Sequence, residues 1–370
     1  MFKVLKKDFL RDPALEMELD LDGKTDEIEL FGKKYRMYSD EWKHHVHLKC
    51  TNRCDADCAF CIERDSRWDR EYEALHIRSA ELTIAQLKSQ GMFRTLSVTG
   101  GEPTMFGGIR SLVELAGKYR PTLFSVNSNG YGMLTAFADD TFDGWFNLSK
   151  HSVVDDEVFC RSFNVTTGIV REFKSRQPRA RVRAQCVLGV SPRVRTIGDV
   201  WDFIGFFRQS VDDFSFRNLI IKDAQGRVHP LFRELRNTLL DDGCCIEQAI
   251  QDYYVYETYE RDGVNITLSW ANMELLRQYN ESHQDSNFLE EIIVHPDGMV
   301  TGSWNKKSLV IFDAKGLDRR TLRAHGGEPA EGQVSVAPKC VSCGHVSHCR
   351  HGWGGCDRGG GGCDRGGSGC

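Results

Sequence analysis

The chain has 370 residues with 48 Lys and Arg against 53 Asp and Glu, a formal charge of -5; that length implies one large domain or a domain with an appendage. No basic block of the sort that tracks phosphate backbones is present, and the longest strongly apolar runs, such as FIGFF from Phe203, are too short to span a bilayer. A cytoplasmic protein with neither nucleic acid nor membrane as partner is therefore expected, and in a reducing cytosol its 14 cysteines favour metal binding over disulfides.

In chain order, residues 1–42 are expected to form a β-rich extension, and HHVHLK from His44 reads as the first strand of the main fold. Directly after it comes CTNRCDADCAFC, residues 50–61, with four cysteines in twelve positions. SAELTIAQLKSQG then predicts a helix with Ser79 as N-cap, apolar spacing at Leu82, Ala85 and Leu87, and a stop at Gly91. TLSVTG (strand), GIRSLVELAGKY (helix), TLFSVNSNG and WFNLS (strands), TGIVREFKS (helix), RVRAQCVLGV (strand), IGDVWDFIGFFRQS (helix) and DFSFRNLI (strand) follow. Such alternation predicts an α/β fold with a parallel sheet wrapped by helices, open or closed as a barrel, whose site lies at the C-terminal strand ends.

Two strands carry a period-2 pattern that separates their faces. In FNLSKH, Asn147 and Ser149 oppose Phe146 and Leu148; in RARVRAQCVLG, Arg179, Arg181, Arg183 and Gln185 oppose Ala180, Val182, Ala184 and Cys186. The apolar faces are expected under helices and the polar faces inside the sheet's curve.

The cysteines fall into two clusters, four in residues 50–61 and six in residues 340–370, with Cys160, Cys186, Cys244 and Cys245 read as core residues between them. A disulfide framework, a zinc site and an iron–sulfur cluster are the candidates for the first. Structural zinc wants four ligands, commonly two separated pairs. Cys54-x3-Cys58-x2-Cys61 suits a [4Fe–4S] cubane with one iron left open. Further on, VTGGEPTM places Gly100, Gly101 and Glu102 after a predicted strand, where paired glycines permit close backbone approach and Glu102 offers a carboxylate to an ammonium.

TNRCDADCAFC followed by SVTGGEPT resembles the radical S-adenosylmethionine (radical SAM) superfamily, over residues 43–222. The resemblance implies a partial (β/α)6 barrel, a [4Fe–4S] cluster on Cys54, Cys58 and Cys61, and SAM at its fourth iron. Reductive cleavage of SAM would then yield a 5′-deoxyadenosyl radical that abstracts hydrogen from substrate. An electron donor such as flavodoxin or ferredoxin is implied with it. By the same resemblance Phe60 lies by the adenine and Gly100, Gly101 and Glu102 hold the SAM amine. Asn127, Ser128 and Asn129 are candidates for its ribose or carboxylate. Ser149, Arg183 and Gln185 are candidates for SAM or the substrate cavity, and His151 for the substrate.

Residues 223–339 form a C-terminal region in which LEEIIVHPDGMVTGSW reads as two strands about a Pro-Asp-Gly turn. It resembles the β-hairpin opening the SPASM or twitch extension of peptide-modifying radical SAM enzymes, although Ser303 and Trp304 stand where that family has a cysteine. Residues 340–358 hold Cys340, Cys343, Cys349 and Cys356, which resemble a degenerate SPASM run with its last cysteine displaced. A second [4Fe–4S] cluster is expected there, with a zinc site on the same cysteines and the nearby histidines as the alternative. Residues 359–370 are a Gly-rich repeat expected to be disordered, with a fused peptide substrate as the sharper reading. Together these lead to hydrogen abstraction from a peptide or peptide-derived substrate. The alternatives are a small molecule such as a nucleoside or carbohydrate, or a metal-binding interaction module without catalysis.

Overall fold

The computed structural model describes residues 25–38, 45–61, 70–154, 156–159, 164–219, 228–242, 245–251, 254–272, 281, 287–304 and 309–314. Cys160, Cys244 and every cysteine from Cys340 onward, Cys343, Cys349 and Cys356 included, lie outside the described residues.

Six strands run parallel and side by side in chain order: β3 (His45–Lys49), β4 (Thr95–Thr99), β5 (Leu123–Ser128), β6 (Trp145–Ser149), β7 (Arg181–Leu188) and β8 (Asp213–Asn218). Before them, β1 (Thr25–Leu30) and β2 (Lys33–Tyr38) form a separate antiparallel hairpin. Five helices lie in the segments that link the six strands: α1 (Glu73–Ser89), α2 (Ile109–Tyr119), α3 (Asp156–Phe159), α4 (Thr167–Arg176) and α5 (Ile197–Phe207). A sixth, α6 (Pro230–Asp241), leads to the antiparallel strands β9 (Cys245–Gln251), β10 (Tyr254–Arg261) and β11 (Val264–Ala271). Strand β11 pairs in parallel with β8, so these strands continue the sheet on one side. On the other side β12 (Ile292–Val294) pairs in parallel with β3 and continues to β13 (Val300–Thr301) and β14 (Val310–Phe312). The fold is thus the expected mixed α/β sheet, mostly parallel at its centre; its strand order begins at β14 and ends at β9 without closing.

Strand alternation assigns the two faces. Phe146 and Leu148 of β6, Val182, Ala184 and Cys186 of β7, and Phe214 and Phe216 of β8 are buried in the core. Phe173 of α4 stacks at an angle on Phe146, and Phe203 of α5 meets Phe214 and Phe216. Burying side chains of this size contributes about 1.5–3 kcal/mol each, so this face anchors the helices. The other face carries Asn147, Ser149, Arg183 and Gln185, as the two period-2 patterns predict, and with them Asn127 of β5 and Asp213 and Arg217 of β8.

Local signals explain some helix starts. Thr196 and Asp199 form a reciprocal capping box at α5, and Thr166 caps α4 by accepting from the Ile169 N–H. The expected N-cap of α1 at Ser79 is corrected: the helix begins at Glu73, with Tyr72 in the N-cap position and no side-chain cap, and Ser79 is buried in its middle. A tertiary contact sets that start, because Tyr72 N–H donates to Pro296 O at 2.9 Å and His76 Nδ1 lies 2.9 Å from His295 O.

Candidate active site

The cysteine loop and the loop after β4 leave adjacent parallel strands at their C-terminal ends and are bonded to each other through their backbones. Gly101 N–H donates to Thr51 O and Glu102 N–H to Arg53 O, both at 2.7 Å. The glycines are required for that approach. A Cβ on Gly101 would stand 2.3 Å from Arg53 O, and one on Gly100, whose φ is +141°, would stand 2.5 Å from Thr51 O. At both positions the absence of a Cβ lets the two loops meet, and at Gly100 the positive φ is a second reason for glycine. Glu71, which carried no signal in the sequence, supports the cysteine loop from outside by accepting from Thr51 Oγ1 at 3.0 Å and from Asn52 N–H.

Within the loop Cys54 and Cys58 are half-buried and Cys61 is exposed, whereas Cys50 is fully buried. Cys50 donates through Sγ to Thr99 O at 3.2 Å, and burial, reinforced by the charge of Glu102, pushes its thiol well above the usual range. It is a packed, protonated thiol. Burial also pushes Cys54 up to about 11, against a backbone hydrogen bond at Ala56 and with Asp55 and Glu102 adding to the rise. A soft cationic partner would have to displace that proton. Asn129 Nδ2 points at Cys54 Sγ from 3.9 Å while donating to Asp55 Oδ1 at 2.8 Å.

Among the described residues no three His, Cys, Asp or Glu side chains stand as ligands of one metal ion would. In a cubane each thiolate bonds its own iron, and the fit to one rests on the donor set: three soft sulfurs in one accessible loop, clamped by the glycine pair.

Glu102 is fully buried and accepts four hydrogen bonds: from Thr104 N–H (3.0 Å), Thr104 Oγ1 (2.6 Å), Ser128 Oγ (2.7 Å) and Asn129 N–H (2.8 Å). Burial raises its carboxyl from the ordinary value, and the bonds from Ser128, Thr104 and Asn129 oppose that rise. A carboxylate offers about four acceptor sites, so an ammonium reaches Glu102 only by displacing one of these donors. Ser128 is committed likewise, since its Oγ also accepts from Gly130 N–H at 2.8 Å.

Phe60 packs edge-on against His151, ring centroids 5.0 Å apart, and His151 Nδ1 accepts from Val187 N–H at 3.0 Å. Asn127 donates to Ser97 Oγ at 2.9 Å and accepts from Asn147 Nδ2 at 3.0 Å. Ser149 and Gln185 are register neighbours on β6 and β7. Arg183 pairs with Asp213 at 2.9 Å and lies 4.3 Å from the centre of the Trp145 ring. Arg183 and Gln185 also border a cavity of about 260 Å³ that reaches β8, β10 and β11. Ser97, Asp213 and the cavity residues of β10 and β11 were not singled out by the sequence; period-2 alternation alone could have placed them on this face.

The chain is similar to known proteins over part of its length. The sequence profile described as Radical SAM superfamily matches residues 48–171, about a third of the chain. A curated relative, GTP 3',8-cyclase 1 of Pseudomonas aeruginosa, is 33% identical over 124 residues, covering 33% of this chain and 36% of its own length. The chain therefore spans about a third of the curated relative it matches. Among solved structures, Streptococcus suis SuiB bound to S-adenosylmethionine aligns over 70% of this chain and 60% of its own, at 14% identity and a TM-score of 0.47. Native anSMEcpe with bound AdoMet aligns over 75% and 79%, at 13% identity and a TM-score of 0.46.

Proposed function

The chain carries a domain of the radical SAM superfamily over residues 48–171, and on that premise we propose that the protein is an enzyme that holds a [4Fe–4S] cluster on Cys54, Cys58 and Cys61, cleaves SAM reductively and abstracts hydrogen from a substrate. The observation that carries this reading is the backbone clamp of the glycine pair on the cysteine loop, which fixes the two motifs as one site. Radical SAM enzymes need a reductant and a substrate, and when bound the cluster and SAM supply the one-electron chemistry.

The chain's own residues bind and orient. The three thiolates hold the cluster, and the Asn129 amide beside Cys54 supplies the kind of hydrogen bond to sulfur that tunes a cluster's potential. Phe60, whose ring packs edge-on against His151, is the residue proposed to flank the adenine. Glu102, with its four donors, shapes the loop that presents Gly100 and Gly101 to the SAM amine. Asn127, Ser149 and Gln185, on the polar face, are the groups left for its ribose and carboxylate, because Ser128 is committed to Glu102.

For the substrate we favour a small polar molecule over a peptide, because most of the side chains that border the cavity beside Arg183 and Gln185 carry hydrogen-bonding groups. The name of the curated relative, a GTP cyclase, points the same way. The peptide reading rests on the hairpin β12–β13 and on Cys340, Cys343, Cys349 and Cys356, for which a second cluster or a zinc ion is proposed. A ferredoxin or flavodoxin is the proposed electron donor and the cytoplasm the proposed location; among the described residues no helix is long and apolar enough to cross a membrane.

The test is electron paramagnetic resonance of anaerobically reconstituted, dithionite-reduced protein. A cubane signal that changes on adding SAM is expected. Zinc without iron would favour the interaction module, and an iron signal indifferent to SAM would contradict the reading.

A further inference from the structure

The cavity is built from register rows of hydrogen-bonding side chains. Arg183, Asp213 and Asn265 are successive partners across β7, β8 and β11, and Gln185, Ser215 and Thr267 form the next row; Asn147 and Ser149 extend these rows onto β6, beyond the residues that border the cavity. Thr258 of β10 continues that second row opposite Thr267, and Ser269 of β11 stands opposite Arg217 of β8. Neighbouring strands lie about 4.7–4.9 Å apart, a spacing between row members that a polyhydroxylated molecule can span. Among the residues that border the cavity, Ile246 and the ring of Tyr256 are apolar, and the other side chains end in hydrogen-bonding groups. A wall with this many donors and acceptors suits an occupant that itself carries several hydrogen-bonding groups.

Two further observations point to a ligand. Arg183 Nε and Asp213 Oδ1, of residues that border the cavity, are buried without a hydrogen-bond partner among the described residues, as is Asn147 Oδ1 next to them in the row. Buried polar atoms are nearly always partnered, so this row has unused capacity for a donor and acceptor group. Arg217 borders the cavity and makes no ion pair among the described residues, whereas the charge of Arg183 is met by Asp213. The cation left to meet an anion from within the cavity is therefore Arg217.

We propose that this cavity is the substrate subsite and takes a small polyhydroxylated anion of the ribose-phosphate kind, with Arg217 holding the anionic group and Ser215, Thr258, Thr267 and Ser269 ordering the hydroxyls. As a substrate subsite it rests on the radical SAM reading, to which it is joined through the Asn127–Asn147 hydrogen bond and the Ser128–Asn129 turn beside Cys54. Both a sugar phosphate and a nucleotide present this chemistry.

The experiment is anaerobic calorimetry of the full chain with ribose 5-phosphate, GTP and inorganic phosphate, alongside an independent assay of SAM cleavage by the same preparation. Saturable binding of ribose 5-phosphate or GTP is expected, at least tenfold weaker in Arg217→Ala and several-fold weaker in the isosteric Thr267→Val; tighter binding of one than the other names the source. Inorganic phosphate, which lacks the hydroxyls, is expected to bind at least tenfold more weakly. Failure of both ribose-phosphate probes to bind, or equal affinities in the unaltered chain and both variants, overturns the inference. Binding that is lost in Arg217→Ala while the unaltered chain cleaves no SAM supports the ligand site and overturns the radical SAM reading instead.

Discussion

The backbone N–H of Gly101 donates to the carbonyl of Thr51 at 2.7 Å, joining the motif after β4 to the loop that carries Cys54, Cys58 and Cys61. Any side chain at Gly101 would meet Arg53 O at 2.3 Å, and backbone cannot move aside as a flexible side chain can. Gly101→Ala is therefore expected to lower stability by about 1–3 kcal/mol, the usual cost of overpacking, and to reduce iron uptake at the cysteine loop. Urea unfolding and iron content after reconstitution measure both; an alanine variant that keeps full stability and iron would show that the loops are not clamped here.

Glu102 distinguishes a structural acceptor from a ligand. Removing its carboxylate leaves Ser128 Oγ, Thr104 and the Asn129 N–H without their acceptor. Glu102→Ala is expected to weaken SAM binding by roughly ten- to a hundredfold and also to destabilise the chain by about 1–3 kcal/mol. Thermal unfolding without SAM, paired with SAM titration, reads the two effects separately. A loss of affinity with unchanged stability would mean that the carboxylate serves the ammonium alone.

Much of the sheet was legible because strand alternation is a local property. WFNLS reads as Asn147 and Ser149 against Phe146 and Leu148, and those two apolar side chains are fully buried. The start of α1 was not legible, since it depends on His76 meeting the backbone of His295, 219 residues away. The strands β9, β10 and β11 escaped for a related reason: Glu257 in the middle of β10 looks solvated by its charge, yet it is buried against Arg236 of α6. At the site, spacing singled out Gly100 to Glu102, whereas the buttress Glu71 and the cavity wall follow from pairings that no short motif encodes.

Arg236 and Glu257 give a stability test of that wall. The guanidinium donates twice to the carboxylate, at 2.8 and 2.7 Å, and Gln248 and Tyr259 each donate to it at 2.6 Å. Breaking a buried pair from one side costs about 3–5 kcal/mol, because the remaining charge stays buried. Arg236→Ala should show that loss in denaturant unfolding, and the double variant Arg236→Met, Glu257→Leu should show clearly less. Equal losses in both would indicate that packing, not charge, holds α6 to β10.

His76 predicts a pH dependence. Burial holds its imidazole at about 4, below the ordinary 6.5, against the pull of the His295 carbonyl and Asp297. Between those values the unfolded chain binds more protons than the folded one, so stability rises with pH through this window and is lost as pH falls through it. From pH 7 to pH 5 the loss is about 2 kcal/mol for this residue, and His45, lowered by burial and by His47, adds in the same direction. The unfolding free energies from urea at the two pH values should differ by that much less in His76→Gln than in the unaltered chain. An unchanged pH dependence in the variant would contradict the assignment.

The most direct measurement of the central claim is 5′-deoxyadenosine formed from SAM by anaerobically reconstituted, dithionite-reduced protein and its cysteine variants. The unaltered chain should make it, Cys58→Ala should not, and Cys50→Ala should still do so, because Cys50 is a buried thiol bonded to Thr99 O. Formation of 5′-deoxyadenosine by Cys58→Ala at the unaltered rate, or none by the unaltered chain with its iron fully loaded, would contradict the account.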